Sequence, residues 1–488
     1  MEANKGLLII VALALAGALG VLIVSNEPTS ILPIFLGLLL LLVAFLSTPA
    51  SLYILVFSML LSPEFLAGGL TGGGGAEGRG ITLRFDDFLL IVIGFVWLAK
   101  RAFFKGGELF ERTSLNGPIM FYIAMAAVST LMGTLEGRVE GMSGFFFLLK
   151  YYEYVLIYFL VVSSVETKKQ AQNLLIASLV TCVLVSLFAI AQVPSGGRAA
   201  APFEGESGEP NTLGGYLVFM LSIVTGLILT PGSTQRRWPL AVLLVLGSLA
   251  LLATLSRSSF LAAGVVVLVL AGRLLVRKPI LAPIILVAFL AAPLWAPQAV
   301  IDRVAFTFTQ PVERGQVQIG GVRVDTSTSE RLRSWQNAAG YWKTYPMWGV
   351  GITGGPFMDA MYPRVLTETG TVGLVAFCIL IGAVFRMGLL AYRQQEDPFV
   401  RGLAMGFLLG FVGLLVHAIG ANTFIIVRIM EPFWLVAALV MRSLMINQAT
   451  QPVATESQAG PALGGRGGIR ASRPVLGRPG LVERKKFS

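Results

Sequence analysis

Arginines and carboxylates stand in this chain at places where an apolar sequence ordinarily carries neither. Arg257 falls in "TLSRSSF", a tight turn between two apolar runs. A guanidinium near membrane depth is costly unless it is paired or faces a wet cavity. Arginine stays protonated in proteins, and its planar fork matches phosphate oxygens. Arg198 precedes another apolar run, and Arg331 and Arg333 lie in "SERLRSW". Converging near an outer membrane surface, these arginines suit a lipid pyrophosphate. Blander readings stand beside that one: Arg257 as a snorkelling residue at a span end, Arg331 as a surface charge.

The stretch "FMDAMYPRVLTETGTVGLVAF" places Asp359, Tyr362, Arg364 and Glu368 where the chain re-enters an apolar run. A carboxylate there can act as general base toward a sugar hydroxyl. Its ionisation would be favoured by a neighbouring arginine and opposed by desolvation. Equally, Asp359 suits a helix N-cap and Glu368 an ion pair at a helix start. Tyr362 suits either stacking on a sugar or anchoring at the membrane interface. Asn211, in "GEPNTLGGYL", suits substrate contact or an N-cap. Arg428 and Glu431 stand three apart in "VRIMEPFW" and can pair on one helix face. Lys150 and Glu153 repeat that spacing. His417 reads as a satisfied polar residue inside the membrane.

The elements that must position these groups are membrane helices. Of 488 residues, 55% are hydrophobic and 13% charged, and the mean hydropathy is +0.78. A soluble domain is about one quarter charged. Apolar runs of the length that crosses a bilayer recur throughout. The expected fold is an all-α polytopic membrane protein with about 12–14 transmembrane helices and a large external loop of short helices. About fourteen runs qualify, near 7–24, 31–46, 50–62, 85–99, 117–133, 144–163, 172–193, 213–230, 238–255, 259–276, 279–296, 366–386, 401–420 and 424–442. The first reads as an uncleaved span rather than a signal peptide, because its leading region carries only Lys5.

The loops "KRAFFK", "ETKKQ", "TQRRW", "GRLLVRK" and "YRQQEDPFVR" fall on one side, with the basic tail, and mark it cytoplasmic. The organisation expected is N-terminal transmembrane helices over 1–296, an external loop over 297–365, C-terminal transmembrane helices over 366–445 and a disordered basic cytoplasmic tail over 446–488. The net charge of +11 sits mostly at span ends, so nucleic acid is not an expected partner. Cys182 and Cys378 each lie inside an apolar run and His417 is the single histidine, which argues against a disulfide framework or a zinc site. Neither a Walker A sequence nor a dinucleotide fingerprint is present, and no aspartate-rich motif suggests a metal-bound nucleotide sugar. A glycosyltransferase built this way would need a lipid-linked, already activated donor.

Over roughly residues 80–450 the chain resembles the O-antigen ligase and O-antigen polymerase (Wzy-type) superfamily. The resemblance rests on Arg257 in its Ser-Arg-Ser turn, on Arg331 with Trp335 one turn later, and on Pro346, Gly349 and Gly351. It continues through Asp359, Tyr362, Leu366, Glu368, Gly370 and Gly373, and includes the Pro-Asn segment at Asn211. The order and spacing of these pieces are more specific than any one of them. Ligases of the family usually carry histidine where this chain has Asp359, which is more like the polymerases.

The resemblance implies a GT-C-like glycosyltransferase of the bacterial inner membrane, facing the periplasm or cell exterior. It would join undecaprenyl-pyrophosphate-linked repeat units of O-antigen or exopolysaccharide with inversion, using no cofactor and no metal. Arg257 and Arg331 would stabilise the leaving pyrophosphate, with Asp359 or Glu368 as base. Arg198, Asn211, Arg333, Trp335, Tyr362 and Arg364 would bind substrate. Membrane lipids and a chain-length regulator protein are further expected partners. The alternatives are a ligase transferring glycan to lipid A-core or another acceptor, a polysaccharide-lipid flippase, and a scaffold of an export complex. A flippase would commonly show internal repeats, which are not evident, and a scaffold leaves the arginines unexplained.

Overall fold

The computed structural model describes residues 42–43, 45–66, 82–104, 110–204, 208–234, 236–277, 279–291, 294 and 296–450. Residues up to Gln448 form one compact unit, and Ala449–Ser488 are a separate one. Among the described residues the chain is helical almost throughout. The helices are α1 Thr48–Leu61, α2 Phe85–Phe104, α3 Asn116–Leu135, α4 Gly141–Ser164, α5 Lys168–Ala191, α6 Pro210–Leu229, α7 Trp238–Ala253, α8 Arg257–Arg277, α9 Leu281–Leu290, α10 Gln298–Thr309, α11 Thr326–Thr344, α12 Met361–Gln394, α13 Pro398–His417 and α14 Val427–Thr450. Two short antiparallel pairs complete it: β1 Glu64–Leu66 with β2 Thr82–Arg84, and β3 Gln318–Ile319 with β4 Val322–Arg323.

Eight of these helices are long and apolar enough to cross a membrane: α3, α4, α5, α6, α8, α12, α13 and α14. This is an all-α polytopic membrane protein. Fewer helices qualify than the apolar runs suggest, for physical reasons. α1 and α7 are apolar but short, and the run at 279–296 shows, among the described residues, the ten-residue α9. α2 has the length but carries Asp86, Asp87, Lys100 and Arg101 near its ends. The runs near 7–24 and 31–46 lie almost wholly outside the described residues, as does the expected tail from Gln451 onward.

At the centre stand α6, α13 and α14, whose apolar windows are 83%, 72% and 83% buried, against 39% for α3, α8 and α12. Lipid tails are as apolar as leucine, so helices in a bilayer associate through close packing of small residues. α13 carries Gly402, Gly406, Gly410 and Gly413 in "GLAMGFLLGFVG". A Cβ on Gly226 of α6 would stand 2.3 Å from the Gly406 nitrogen, and one on Gly406 would stand 2.5 Å from the Ile223 Cα. Around this seam Phe219, Phe407, Phe411, Phe424, Phe433 and Trp434 pack ring against ring.

α12 is broken at Gly370, whose backbone (φ 64°, ψ −164°) only glycine adopts without strain. The loop 346–351 fills the gap. Thr371 and Val372 donate to the Pro346 and Met347 carbonyls at 2.8 and 3.2 Å, and Val350 and Gly351 donate to the Thr367 and Glu368 carbonyls at 2.9 Å each. Ser129 Oγ of α3 sits 2.5 Å from both the Trp348 and the Glu368 carbonyl oxygens. Gly349 and Gly351 have positive φ, and a Cβ on Gly349 would stand 2.4 Å from the Thr367 oxygen. The Pro-x-x-Gly-x-Gly segment therefore does structural work here: it satisfies the backbone of a helix broken beside the membrane core.

Gly406→Ala is expected to lower thermal stability in detergent by about 1–3 kcal/mol through overpacking. Gly272→Ala, where nothing lies within 4 Å of the added methyl, should leave the unfolding midpoint unchanged or slightly raised.

Candidate functional site

The turn from α7 to α8 is built to present Arg257. Leu255 takes a positive φ of 49°, uncommon outside glycine, which lets the chain reverse within "TLSRSSF". Three serines then fasten the turn. Ser256 Oγ donates to Asn211 Oδ1 at 2.7 Å, Ser259 Oγ bonds Ser256 Oγ at 2.8 Å, and Ser258 Oγ donates to the Gly420 carbonyl at 3.2 Å. The Ser259 N–H also donates to Ser256 Oγ at 3.4 Å, as at a helix N-cap. Asn211 thus serves the turn itself.

Arg257 reaches out of this turn to two elements. Its Nη1 donates to Thr307 Oγ1 of α10 at 2.7 Å and its Nη2 to Asp325 Oδ2 at 2.5 Å. Asp325 is the N-cap of α11, where its other carboxylate oxygen accepts from the Thr328 N–H at 3.1 Å. Its own N–H donates to the Thr307 carbonyl at 2.9 Å. Asp325 therefore joins α8 to the start of α11 through its carboxylate and both to α10 through its backbone N–H. Burial pushes the Asp325 carboxyl up, but the Arg257 and Thr328 hydrogen bonds outweigh it and hold it below the usual range.

Three more arginines share this neighbourhood. Arg198 donates from Nε to the Thr254 carbonyl at 3.2 Å, and the next residue, Ala199, donates to the Ala253 carbonyl at 3.0 Å. Burial, then the charges of Arg303, Arg257 and Arg331, push the Arg198 guanidinium down to about 10. Arg303 lies one turn before Thr307 on α10, and burial followed by Arg257 lowers it too. Arg331, on α11, is lowered by burial and then by Arg257, with Asp359 and Asp325 acting the other way. The Nε atoms of Arg303 and Arg331 are buried without a hydrogen-bond partner. Arg331 lies against the turn after α13, where a Cβ on Gly420 would meet its Nε at 3.2 Å. Four mutually repelling cations thus face two carboxylates, an arrangement that favours a multivalent anion.

Of the residues singled out from the sequence, Arg198, Arg257, Arg331 and Asp359 come together here, with Asn211 supporting the turn. Asp359 is half-buried, and its N–H donates to Ser334 Oγ of α11 at 3.3 Å. Arg333 and Trp335 do not join them: Arg333 is half-buried and pairs with Glu330 at 3.1 Å, and Trp335 is 46% exposed. Tyr362 spends its hydroxyl on the Leu415 carbonyl of α13 at 2.6 Å. Arg364 and Glu368 form a buried pair, Nε to Oε1 at 3.0 Å, and Glu368 also accepts from the Thr353 N–H at 3.4 Å. Neither is among the charged groups acting on Arg331. Arg303, like Asp325, was not assigned to the site from the sequence. Its signal was an arginine one turn before Thr307 on the amphipathic "QAVIDRVAFTFT".

His417 is fully buried and bonds Thr423 Oγ1 at 2.8 Å through Nδ1. The expected pairing of Arg428 with Glu431 does not form. Arg428 turns to the carbonyls of Leu60, Ser62, Pro202 and Phe203, with Glu204 at 3.8 Å, while Glu431 pairs with Arg84 at 3.1 Å. Lys150 and Glu153 do pair, at 3.1 Å.

Residues 240–372 match the family model described as O-antigen ligase. The matched stretch runs from the start of α7 past the break in α12, so it contains Arg257, Arg303, Asp325, Arg331, Asp359 and Glu368. It supports a glycosyl-transfer enzyme of the O-antigen ligase and polymerase superfamily. No curated protein matches the chain.

Inorganic pyrophosphate is expected to raise the unfolding midpoint of the purified protein, less so at high salt. Arg303→Ala and Arg331→Ala should each remove at least half of that shift. The Asp325 carboxyl is held below its unfolded value of about 3.9. Its contribution is therefore present above that value and lost only as pH falls through the lower folded value. Asp325→Asn should accordingly destabilise the protein equally at about pH 6 and about pH 8.

Proposed function

We propose, for a chain whose segment 240–372 matches the O-antigen ligase family model, that it polymerises lipid-linked oligosaccharide repeat units on the outer face of the inner membrane. The observation that carries this reading is the group of four arginines with two carboxylates. The donor is a glycan on undecaprenyl pyrophosphate. Arg198, Arg257, Arg303 and Arg331 bind the pyrophosphate and stabilise the charge that grows on it as the glycosidic bond breaks. The terminal hydroxyl of a second lipid-linked repeat attacks the anomeric carbon from the opposite face, which inverts that centre.

Asp359 is the carboxylate assigned to the attacking hydroxyl. It acts on Arg331 electrostatically, and no described side chain hydrogen-bonds its carboxylate. Glu368 is already bonded to Arg364 and to the Thr353 N–H, so it is assigned to holding the α12 break. Arg257 has two duties, because losing it also releases the Asp325 cap of α11.

Under this reading the basic loops and tail face the cytoplasm, and the segment 297–365 faces the periplasm or cell exterior. A second reading, ligation of the glycan to lipid A-core or another acceptor, is favoured by the description of the matching family. Aspartate rather than histidine at position 359 weighs against it.

The test is incubation of the purified protein in nanodiscs with an undecaprenyl-pyrophosphate repeat unit as the sole substrate, with products resolved on a gel. A ladder is expected. Transfer only when a lipid A-core or protein acceptor is supplied would make the chain a ligase. Asp359→Asn should lower kcat by about a hundredfold or more, with the pyrophosphate-induced stabilisation retained. Glu368→Gln should lower stability more than it lowers turnover per folded molecule.

A further inference from the structure

Away from the arginines, a second charged cluster has the opposite balance. It lies where the end of α1, the start of α2, the middle of α4 and the start of α14 meet. Asp86, Asp87, Glu153 and Glu431 supply four carboxylates, and Arg84 and Lys150 supply two cations. Arg84 donates from Nε to Asp86 Oδ1 at 2.9 Å, bonds Asp86 again through Nη2, and reaches Glu431 Oε2 at 3.1 Å. Lys150 bonds Asp87 and lies 3.1 Å from Glu153 Oε2. Ser62 Oγ donates to Asp86 Oδ1 at 3.0 Å. Nearby Arg428 is turned toward backbone carbonyls and Glu204 instead.

Two negative charges are thus left over in a place that excludes water. Asp86 and Glu431 are fully buried, and Asp87 nearly so. An uncompensated buried carboxylate is among the most expensive groups a protein can hold. The hydrogen bonding leaves the same excess. Glu431 Oε1, Glu153 Oε1 and Asp87 Oδ1 are all buried without a partner. The Glu431 side chain is wholly enclosed, so that oxygen has no water to turn to.

One oxygen each from Asp86, Glu153 and Glu431 lies within 4.8 Å of the other two. That is no farther than two ligands on opposite sides of one ion with bonds of about 2.4 Å. We propose that Asp86, Glu153 and Glu431 hold a hard, oxygen-preferring divalent cation of the Ca²⁺ class. All three donors are carboxylates, which suit such ions and not the softer transition metals. A divalent ion cancels the charge excess and offers a partner to the unpartnered carboxylates of Glu153 and Glu431. The ligands come from α2, α4 and α14, so the ion clamps three helices that are distant in sequence. Its role is structural, and it shares no residue with the arginine site, so the proposal stands independently of the enzymatic reading.

The test uses the full-length protein in detergent, stripped with chelator and titrated with Mn²⁺ as a paramagnetic probe. One bound Mn²⁺ per chain is expected, displaced by Ca²⁺, with Ca²⁺ raising the unfolding midpoint by several degrees. Glu153→Gln and Glu431→Gln should each weaken Mn²⁺ binding at least tenfold. Both variants should remain monodisperse and keep the stabilisation by inorganic pyrophosphate, which reports the separate arginine site. Absence of stoichiometric Mn²⁺ binding to the unaltered protein would overturn the proposal and assign the excess charge to protons. Undiminished binding in both variants would overturn it as well, by placing the ion elsewhere.

Discussion

The break in α12 at Gly370 is the constraint on which the outer half of this protein depends. A helix beside hydrocarbon cannot simply stop and restart, because each freed N–H and C=O would lack a partner. Here the loop 346–351 enters the gap and meets four of those groups, with Ser129 of α3 closing the arrangement from the other side. That single solution fixes much else. It ties the loop after α11 to α12, and so sets where α11 and its Arg331 stand relative to Asp359. It also buries Glu368 against the loop, where Arg364 neutralises it. Gly349, Gly351 and Gly370 all have positive φ, so this part of the fold tolerates little substitution.

Charge is the second constraint, and the protein meets it in two opposite ways. At the ends of α7, α10 and α11, arginines outnumber carboxylates, and two of them keep a buried Nε without a partner. Between α2, α4 and α14, carboxylates outnumber cations, and three of their oxygens are in the same position. Each excess is unfavourable in a low-dielectric setting unless an ion of opposite sign supplies the balance. The two sites differ in access, however. Arg257 and Arg331 keep some exposure, while Glu431 has none. The cation-rich site suits a ligand that comes and goes, and the carboxylate-rich site one that stays.

Much of this was legible in the sequence because the bilayer imposes a simple rule. Runs of apolar residues had to become helices, and α3 to α6, α8, α12, α13 and α14 fall where those runs lie. Arg257 was legible for the same reason, since a charge between two apolar runs demands an explanation. Pairings across the fold were not legible. Arg428 and Glu431 have the spacing of a helix pair, yet each finds a partner hundreds of residues away, because carbonyls at the end of α1 and the guanidinium of Arg84 compete for them. The Pro-x-x-Gly-x-Gly segment was conspicuous as a motif, but spacing alone could not reveal that it repairs a broken helix. Arg303 stands in an amphipathic helix of a polar loop, where an arginine alone does not mark a site.

Under the proposed reaction, these placements bear on which carboxylate would meet the acceptor hydroxyl. From the sequence, Asp359 and Glu368 stood as alternatives for that role, Glu368 at the start of an apolar run. In the fold its carboxylate already accepts two hydrogen bonds and is 7% exposed. Bringing a sugar to it would mean breaking the Arg364 pair and leaving a buried guanidinium without its partner, a loss of several kcal/mol on the scale of about 3–5 kcal/mol for buried pairs. Asp359 has no such commitment. Its backbone is pinned to Ser334 of α11, so the carboxylate is held in place without being used up, and it acts on the arginine that the proposed pyrophosphate would also contact. A hydroxyl held by Asp359 and a phosphate held by Arg331 would then be kept close by one short stretch of structure. That coupling is what an in-line displacement between two lipid-borne substrates requires, because both partners must be oriented at once.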